Sequence, residues 1–325
     1  MKKLKPFNQF IKEEVTPIAP ANNLLKEKEV GVSTFLLCPP YNLSNDVANN
    51  IWIKELPEKE KKIDVKKALR QWMDLYNFLA ASSIVYLIPP APGLQDQSYV
   101  ANLGIVLPHR KEHDVIISNF TSEPRVNEAY EGIDFFKKLG YNVHQAPDKF
   151  EGEADLKFIK DNIYVGGYGI RSSKKTYDWM EKEFDMKIIP VEMKSEYLYH
   201  FDCMFFPVNI DNVIACTKLM DKASIRQLEK YADIHDVEED VCESGITNSV
   251  VSFGTVCTHS NIDKLKTSDE NYSYERKKVD KMNEICETIG MEPVYFDISE
   301  FTKSGALMSC LVMHLSFTDF KYPLV

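Results

Sequence analysis

The sequence predicts a single α/β domain, and three observations lead there. Short β-branched runs alternate with helical stretches in a strand–strand–helix–strand rhythm that repeats about five times. No long linker interrupts this rhythm from about residue 31 onward. The 325 residues, 44% hydrophobic and 27% charged, suffice for one large soluble domain.

The elements follow in order. Residues 1–30 are polar and charged, contain Pro17 and Pro20, and show little periodicity, so they read as an N-terminal extension ahead of a domain spanning 31–325. Val32 to Cys38 reads as the first strand, stopped by Pro39-Pro40. Val65 to Ala80 has apolar residues at helical spacing. Ile84 to Ile88 is a β-branched strand ended by Pro89-Pro90. Ile105–Leu107 and Val115–Ile117 read as paired strands, Asn127–Leu139 as a helix stopped by Gly140, and Tyr141–His144 as the next strand. Leu156–Ile159 and Asn162–Val165 read as a hairpin pair, Lys174–Phe184 as a helix and Lys187–Val191 as extended. Met204–Val208 and Val213–Cys216 read as strands, Ile225–Tyr231 as a short helix. Val250–Phe253, Thr255–Cys257, a helix over Tyr274–Ile289, Pro293–Phe296 and a strand over Cys310–Leu315 close the chain.

Composition excludes several function classes. A net charge of −10 argues against nucleic-acid binding and is compatible with a small cationic substrate. The seven cysteines are odd in number and form no CxxC pair, so neither a disulfide framework nor a structural zinc site is expected, and a reducing, cytoplasmic setting is. The basic start is followed by no apolar signal core, and no apolar run approaches the roughly 18 residues of a membrane span. The sequons at Asn42, Asn119 and Asn271 then read as idle.

Three clusters carry chemistry. Cys310 lies in an apolar stretch, where a cysteine is usually inert core. Gly305, Ser304 and Ser309 near it permit a close approach, which favours a nucleophile. On strand alternation His200 and Asp202 face one side, as an acid/base beside a cation-binding carboxylate or as a surface pair. Glu151, Glu153 and Asp155 alternate around Gly152 and Ala154, a pattern common to solvated loops. No HExxH or calcium loop supports a metal there, and Gly166-Gly167-Tyr168-Gly169 lacks the setting of a phosphate loop. His109 and His113 read as solvated in a charged loop.

These fragments, taken in order, resemble the guanidine-modifying, or pentein, superfamily, and most of all its dimethylarginine dimethylaminohydrolase and arginine dihydrolase-like group. Leu37-Cys38-Pro39-Pro40 is similar to the opening "M-C-x-P", and Asn49 with Trp52 to "N-P-W" with an insertion. Tyr99 to Gly104 is similar to "F-T-A-N-x-G", Phe150 to Asp155 to "F-E-G-x-G-D", and Gly167 to Ser172 to "G-Y-G-x-R-S/T". Tyr199 to Asp202 is similar to "Y-H-L-D", Thr247 to Val250 to "C-N-A-V", and Ser299 to Leu311 to "S-E-F-x-K-x-G-G-x-x-x-C-L".

The resemblance implies a fivefold pseudosymmetric α/β propeller with its site on the axis. It implies hydrolysis of a C–N bond in a guanidino compound through a covalent thiouronium-type adduct on Cys310. His200 would protonate the leaving amine and then activate water. Glu151 and Asp202 would bind guanidinium nitrogens, Asn102 would contact them from the opposite side, and Arg125 and Arg171 would take the substrate carboxylate. Asn49 and Asn248 are further substrate-binding candidates. No metal or organic cofactor is implied. The neutral Asn102 favours arginine dihydrolysis to ornithine and ammonia, with dimethylarginine hydrolysis close behind. An amidinotransferase, or a degenerate member that binds arginine or a partner without turnover, is the alternative. The departures are a loop, Gly305 to Cys310, without a basic residue beside the cysteine, the lead-in Gln95-Asp96-Gln97-Ser98, and a loosened "R-x-G-E" at Arg125–Glu128. The first removes one charge that would stabilise a thiolate.

Overall fold

The computed structural model describes residues 32–317, so the expected 1–30 extension and the chain beyond 317 lie outside the described residues. The order begins with β1 (Thr34–Leu37), the helix Val65–Ala80 and β2 (Ile84–Leu87). Then come β3 (Gly104–Val106), β4 (Asp114–Ile117), the helix Glu128–Lys138 and β5 (Asn142–Gln145). β6 (Leu156–Lys160), β7 (Ile163–Tyr168), the helix Lys174–Phe184 and β8 (Lys187–Glu192) repeat the unit. β9 (Phe205–Pro207), β10 (Asn212–Ala215), the helix Lys222–Leu228 and β11 (Asp233–Asp236) repeat it again. β12 (Val250–Ser252), β13 (Thr255–His259), the helix Glu270–Ile289 and β14 (Glu292–Phe296) complete the fourth. Finally β15 (Met313–His314) returns to pair with β1, Phe35 opposite His314 and Leu36 opposite Met313.

Five three-stranded sheets result, each with the same wiring. A short strand runs antiparallel to a middle strand, and the middle strand is parallel to a third reached over a helix. This is the expected fivefold α/β propeller, with one blade assembled from both ends of the described chain. Middle strands are buried on both faces, as in β1 and β4, which explains their continuous apolar runs. Third strands such as β2 and β5 are edges and only half-buried. The helices Val65–Ala80 and Lys174–Phe184 are amphipathic and capped by side chains: Asp64 accepts from Lys67 N and Ser173 from Lys175 N.

The differences from expectation have local causes. The helix expected over Ile225–Tyr231 starts at Lys222, because the Asp221 carboxylate accepts from the amides of Ala223 and Ser224. The helix expected from Tyr274 starts at Glu270, in a polar turn without apolar spacing. The expected strand Cys310–Leu315 is a 3-10 turn, Ser309–Leu311, followed by only the two residues of β15. β11 was not expected, because Asp233-Ile234-His235-Asp236 is a half-exposed edge with little apolar signal. The short helices Ile51–Glu55, Glu239–Glu243 and Ser299–Thr302 hold too few residues to show a period. His109 is not solvated but half-buried, between the Tyr164 hydroxyl and the Phe184 carbonyl, each 2.9 Å away.

Candidate active site

The candidate residues repeat with the blades. Each innermost strand is preceded by a turn that carries a polar side chain to the centre. Asn102 ends the 3-10 turn before β3, and Glu151 caps the short helix Gly152–Asp155 before β6. His200 caps the 3-10 turn Phe201–Cys203 before β9. Asn248 lies two residues before β12, and Cys310 in the turn before β15. His200 and Asp202 therefore reach the centre from a tight turn, not from the alternation of a strand as expected.

Gly152 makes the close approach of two such turns possible. At φ +62° it packs on backbone, and a Cβ there would lie 2.4 Å from the Ala101 carbonyl oxygen. Gly167 in β7 likewise leaves room for Phe201, whose Cβ would be 2.6 Å from an added Cβ. The glycine-rich run thus serves packing.

Cys310 is buried, with Asp202 Oδ2 4.0 Å and Asn248 Oδ1 3.8 Å from its Sγ. Ser309 ties these groups together: its Oγ donates to Asp202 Oδ2 at 2.6 Å and its amide to Asn248 Oδ1 at 2.8 Å. Burial, and after it the Asp202 carboxylate, push the Cys310 thiol up to about 12, against smaller pulls from the Leu307 backbone, Asn248 and Lys157. The unliganded site therefore holds a thiol at neutral pH.

His200 Nε2 lies 2.7 Å from Glu151 Oε2, and the Asn102 amide comes within 3.3 Å of the same ring nitrogen. Burial alone would raise the Glu151 carboxyl, but the His200 hydrogen bond and charge, with Arg171 and Arg125, hold it well below its ordinary value. Thr121 Oγ1 donates to Glu151 Oε1 at 3.2 Å. Arg171 Nη1 lies 3.2 Å from the same oxygen, while its Nη2 donates to the Asn49 carbonyl at 2.8 Å. Both Glu151 oxygens are thus engaged within the chain. Behind them, Asp155 accepts from Ser172 Oγ at 2.5 Å and from the Phe201 amide at 3.1 Å, and Ser172 Oγ accepts from the Glu151 amide at 3.1 Å. That buried relay fixes the Glu151 and His200 turns relative to each other.

Arg125 grips Glu128 with two nitrogens, Nε at 3.0 Å and Nη2 at 2.7 Å, and donates to the Tyr99 carbonyl at 3.2 Å. Asn49 Nδ2 donates to Asp96 Oδ2 at 2.5 Å, and Asn50 Nδ2 to the Ser304 carbonyl at 2.9 Å. These contacts close the 49–52 segment over the site, and Trp52 packs on Gly305 at φ +72°, where an added Cβ would lie 2.9 Å from Trp52 Cδ1.

The expected residues Asn49, Asn102, Arg125, Arg171, His200 and Cys310 line one cavity. Asp202 and Asn248 lie against Cys310, and Glu151 behind His200. The internal space is about 20 Å³, room for roughly one water. A larger ligand enters only if part of the wall moves, and Arg171, Arg125 and Asp96 are charged groups within that wall. A larger cavity of about 720 Å³ lies between β8 and the helix Lys222–Leu228 and contains none of these residues. Sequence reasoning missed Asp96 and Tyr99 as parts of the site and took Ser304 and Ser309 only as small neighbours of Cys310. Asp96 and Tyr99 sit six and three residues before Asn102, so their nearness in sequence was the available signal. Among the described residues no group of three or more His, Cys, Asp or Glu is placed to hold a metal ion.

Known proteins share this arrangement of elements. The bifunctional arginine dihydrolase/ornithine cyclodeaminase AgrE of Nostoc sp. is 25% identical over 285 residues, 87% of this chain and 38% of that protein. The N(G),N(G)-dimethylarginine dimethylaminohydrolase of Mycobacterium tuberculosis is 22% identical over 284 residues, 86% of this chain and 85% of that one. The crystal structure of unliganded AgrE superposes with a TM-score of 0.74 at 25% identity, covering 87% of this chain and 39% of that one. This chain therefore spans well under half the length of AgrE. Residues 39–317 match the profile of the family described as N,N dimethylarginine dimethylhydrolase, eukaryotic, and the chain belongs to that family.

Proposed function

We propose that this protein hydrolyses a guanidino compound at Cys310, with arginine as the leading substrate. One observation carries the reading: a thiol, a His–Glu pair, an aspartate and two asparagines from five successive turns converge at one buried centre. A guanidinium is planar, cationic and composed only of donors, so Asp202 and the oxygen of Asn102 suit its nitrogens. Its charge would neutralise Asp202 and ease the Cys310 thiol towards thiolate where attack occurs.

In the proposed sequence the Cys310 thiol gives up its proton to His200 as Sγ bonds to the guanidinium carbon. His200 delivers a proton to the departing nitrogen, and the C–N bond breaks to leave a thiouronium-type adduct. His200 then takes a proton from water, which adds to the same carbon and releases Sγ. Glu151 orients His200, while Arg171 leaves Glu151 for a substrate carboxylate. Hydrolysis of one bond of arginine gives citrulline and ammonia; two further C–N cleavages give ornithine, a second ammonia and carbon dioxide. The neutral Asn102 favours the second course. The family and the mycobacterial relative support dimethylarginine as the second reading.

The test is Cys310→Ser. The expected result is no turnover, with arginine still raising the melting temperature. Retained turnover would overturn the proposal.

A further inference from the structure

We propose that Cys216 and Cys242 are a redox-modification site: hydrogen peroxide joins them in a reversible disulfide, and the bridge loosens the turn that carries His200 and Asp202. The bridge is independent of the function proposed above; its effect on turnover rests on that reading.

The two thiols come from separate elements and meet. Cys216 follows β10 and heads the turn Thr217–Leu219, and Cys242 lies on the short helix Glu239–Glu243. Their side chains are hydrogen-bonded to each other, inside one apolar cluster with Phe201, Met204 and Phe205. Sulfurs in such contact need only a small approach to bond covalently. The Cys216 amide donates to the Met204 carbonyl at 3.1 Å, and Cys242 Sγ donates to the Cys203 carbonyl at 2.9 Å. The single Cys242 thiol hydrogen thus lies between two acceptors, the Cys203 carbonyl and the Cys216 sulfur. The pair sits against the end of the turn Phe201–Cys203, which the Cys203 amide closes onto the His200 carbonyl at 3.1 Å.

The thiols are unequal. The Cys242 thiol, and to a lesser degree the Leu219 amide, hold the Cys216 thiol below its ordinary value, against burial and the charges of Asp236 and Glu239. The other six cysteines are all raised, Cys242 by the same contact and then by burial, Cys310 by burial up to about 12. Cys216 is therefore the sulfur an oxidant meets as thiolate, with Cys242 beside it to resolve the product. No residue of Thr217–Leu219 is buried, so local opening of that turn admits a molecule as small as hydrogen peroxide.

One peroxide balances the chemistry. The Cys216 sulfur bonds to one peroxide oxygen, the O–O bond breaks, and the other oxygen leaves as water, which gives Cys216 sulfenic acid. The Cys242 sulfur then bonds to the Cys216 sulfur, the S–O bond breaks, and a second water leaves with the Cys242 proton. Two thiols lose two hydrogens and two electrons, and hydrogen peroxide becomes two waters. The bridge has no hydrogen to give, so the Cys203 carbonyl loses its bond from Cys242. The turn it ends holds Asp202 beside Cys310 and His200 on Glu151.

The full chain is treated with hydrogen peroxide, its free thiols are alkylated, and the digest is mapped by mass spectrometry. The expected result is a linked Cys216–Cys242 peptide pair that dithiothreitol separates. Two separately alkylated peptides, or a Cys203–Cys242 link in their place, overturn the inference. In the bridged protein kcat/KM for arginine should fall by about 10-fold and return with dithiothreitol. Peroxide should leave turnover unmoved in Cys216→Ser and Cys216→Ala. A bridge without loss of turnover refutes the effect on the turn, and an equal loss in both variants places the oxidation elsewhere. The labelling rate of Cys310 by iodoacetamide reads the same effect without turnover: bridged and reduced protein should differ several-fold, and equal rates contradict the proposal. A protein that bridges but never consumes arginine sinks the proposed function and leaves the bridge standing.

Discussion

Asp202→Asn separates the two duties the structure gives this carboxylate. Asp202 Oδ2 lies 4.0 Å from Cys310 Sγ, and its charge opposes the thiolate. Burial is the largest cause of the raised thiol and the Asp202 charge the second, so removing the charge lowers the thiol from about 12 only part of the way to its ordinary value. A fall of roughly one to two pH units raises the thiolate fraction near pH 8 by about 10- to 100-fold. A less basic thiolate is also a weaker nucleophile, with a Brønsted slope near 0.5, so the net gain in alkylation rate is about 3- to 10-fold. Asparagine keeps the shape and can still accept from Ser309. The assay is the rate of Cys310 alkylation by iodoacetamide at about pH 8, beside kcat/KM for arginine. Alkylation should speed up while kcat/KM falls by about 10²-fold or more, because a charged hydrogen bond to the substrate is lost. An alkylation rate that is unchanged or lower would refute the reasoning, since Asp202 would then not be what restrains the thiol.

Other expectations follow from the same geometry. Gly152→Ala should cost about 3 kcal/mol, since a Cβ at φ +62° would lie 2.4 Å from the Ala101 carbonyl oxygen; a melting temperature close to wild type contradicts this. Glu151 has a depressed folded-state pKa, so it contributes stability that is present above its unfolded value of about 4.3 and is lost as the pH falls below it. Glu151→Gln should therefore flatten the melting curve's acid limb between about pH 4 and pH 2, and an acid limb as steep as wild type would count against the His200–Glu151–Arg171 arrangement. Asn102→Asp should shift arginine products from ornithine towards citrulline, and an unchanged product ratio removes the argument for dihydrolysis.

The elements legible in the sequence were the longer helices and the strands that are apolar throughout. The helices Val65–Ala80 and Lys174–Phe184 carry apolar spacing behind Asp64 and Ser173, and both have the expected bounds. Middle strands such as Val115–Ile117 are apolar throughout because both faces are covered. β11 escaped because an edge strand needs few apolar side chains, and Ser309–Leu311 because a 3-10 turn leaves no period to read. The expected residues come together at one centre, but their geometry was not legible in the sequence. His200 and Asp202 belong to the centre, although the strand that was to align them is a turn. That Arg171 lies on Glu151, or that Arg125 grips Glu128, depends on packing between segments, which local pattern does not encode.

Arginine consumption with product identification tests the central claim most directly. The protein is incubated with L-arginine, ammonia is titrated, and products are weighed by mass spectrometry, with Cys310→Ser as the blank. The account expects ornithine with two ammonia per arginine, absent from the blank. Arginine left intact, or consumed equally by the blank, would contradict it.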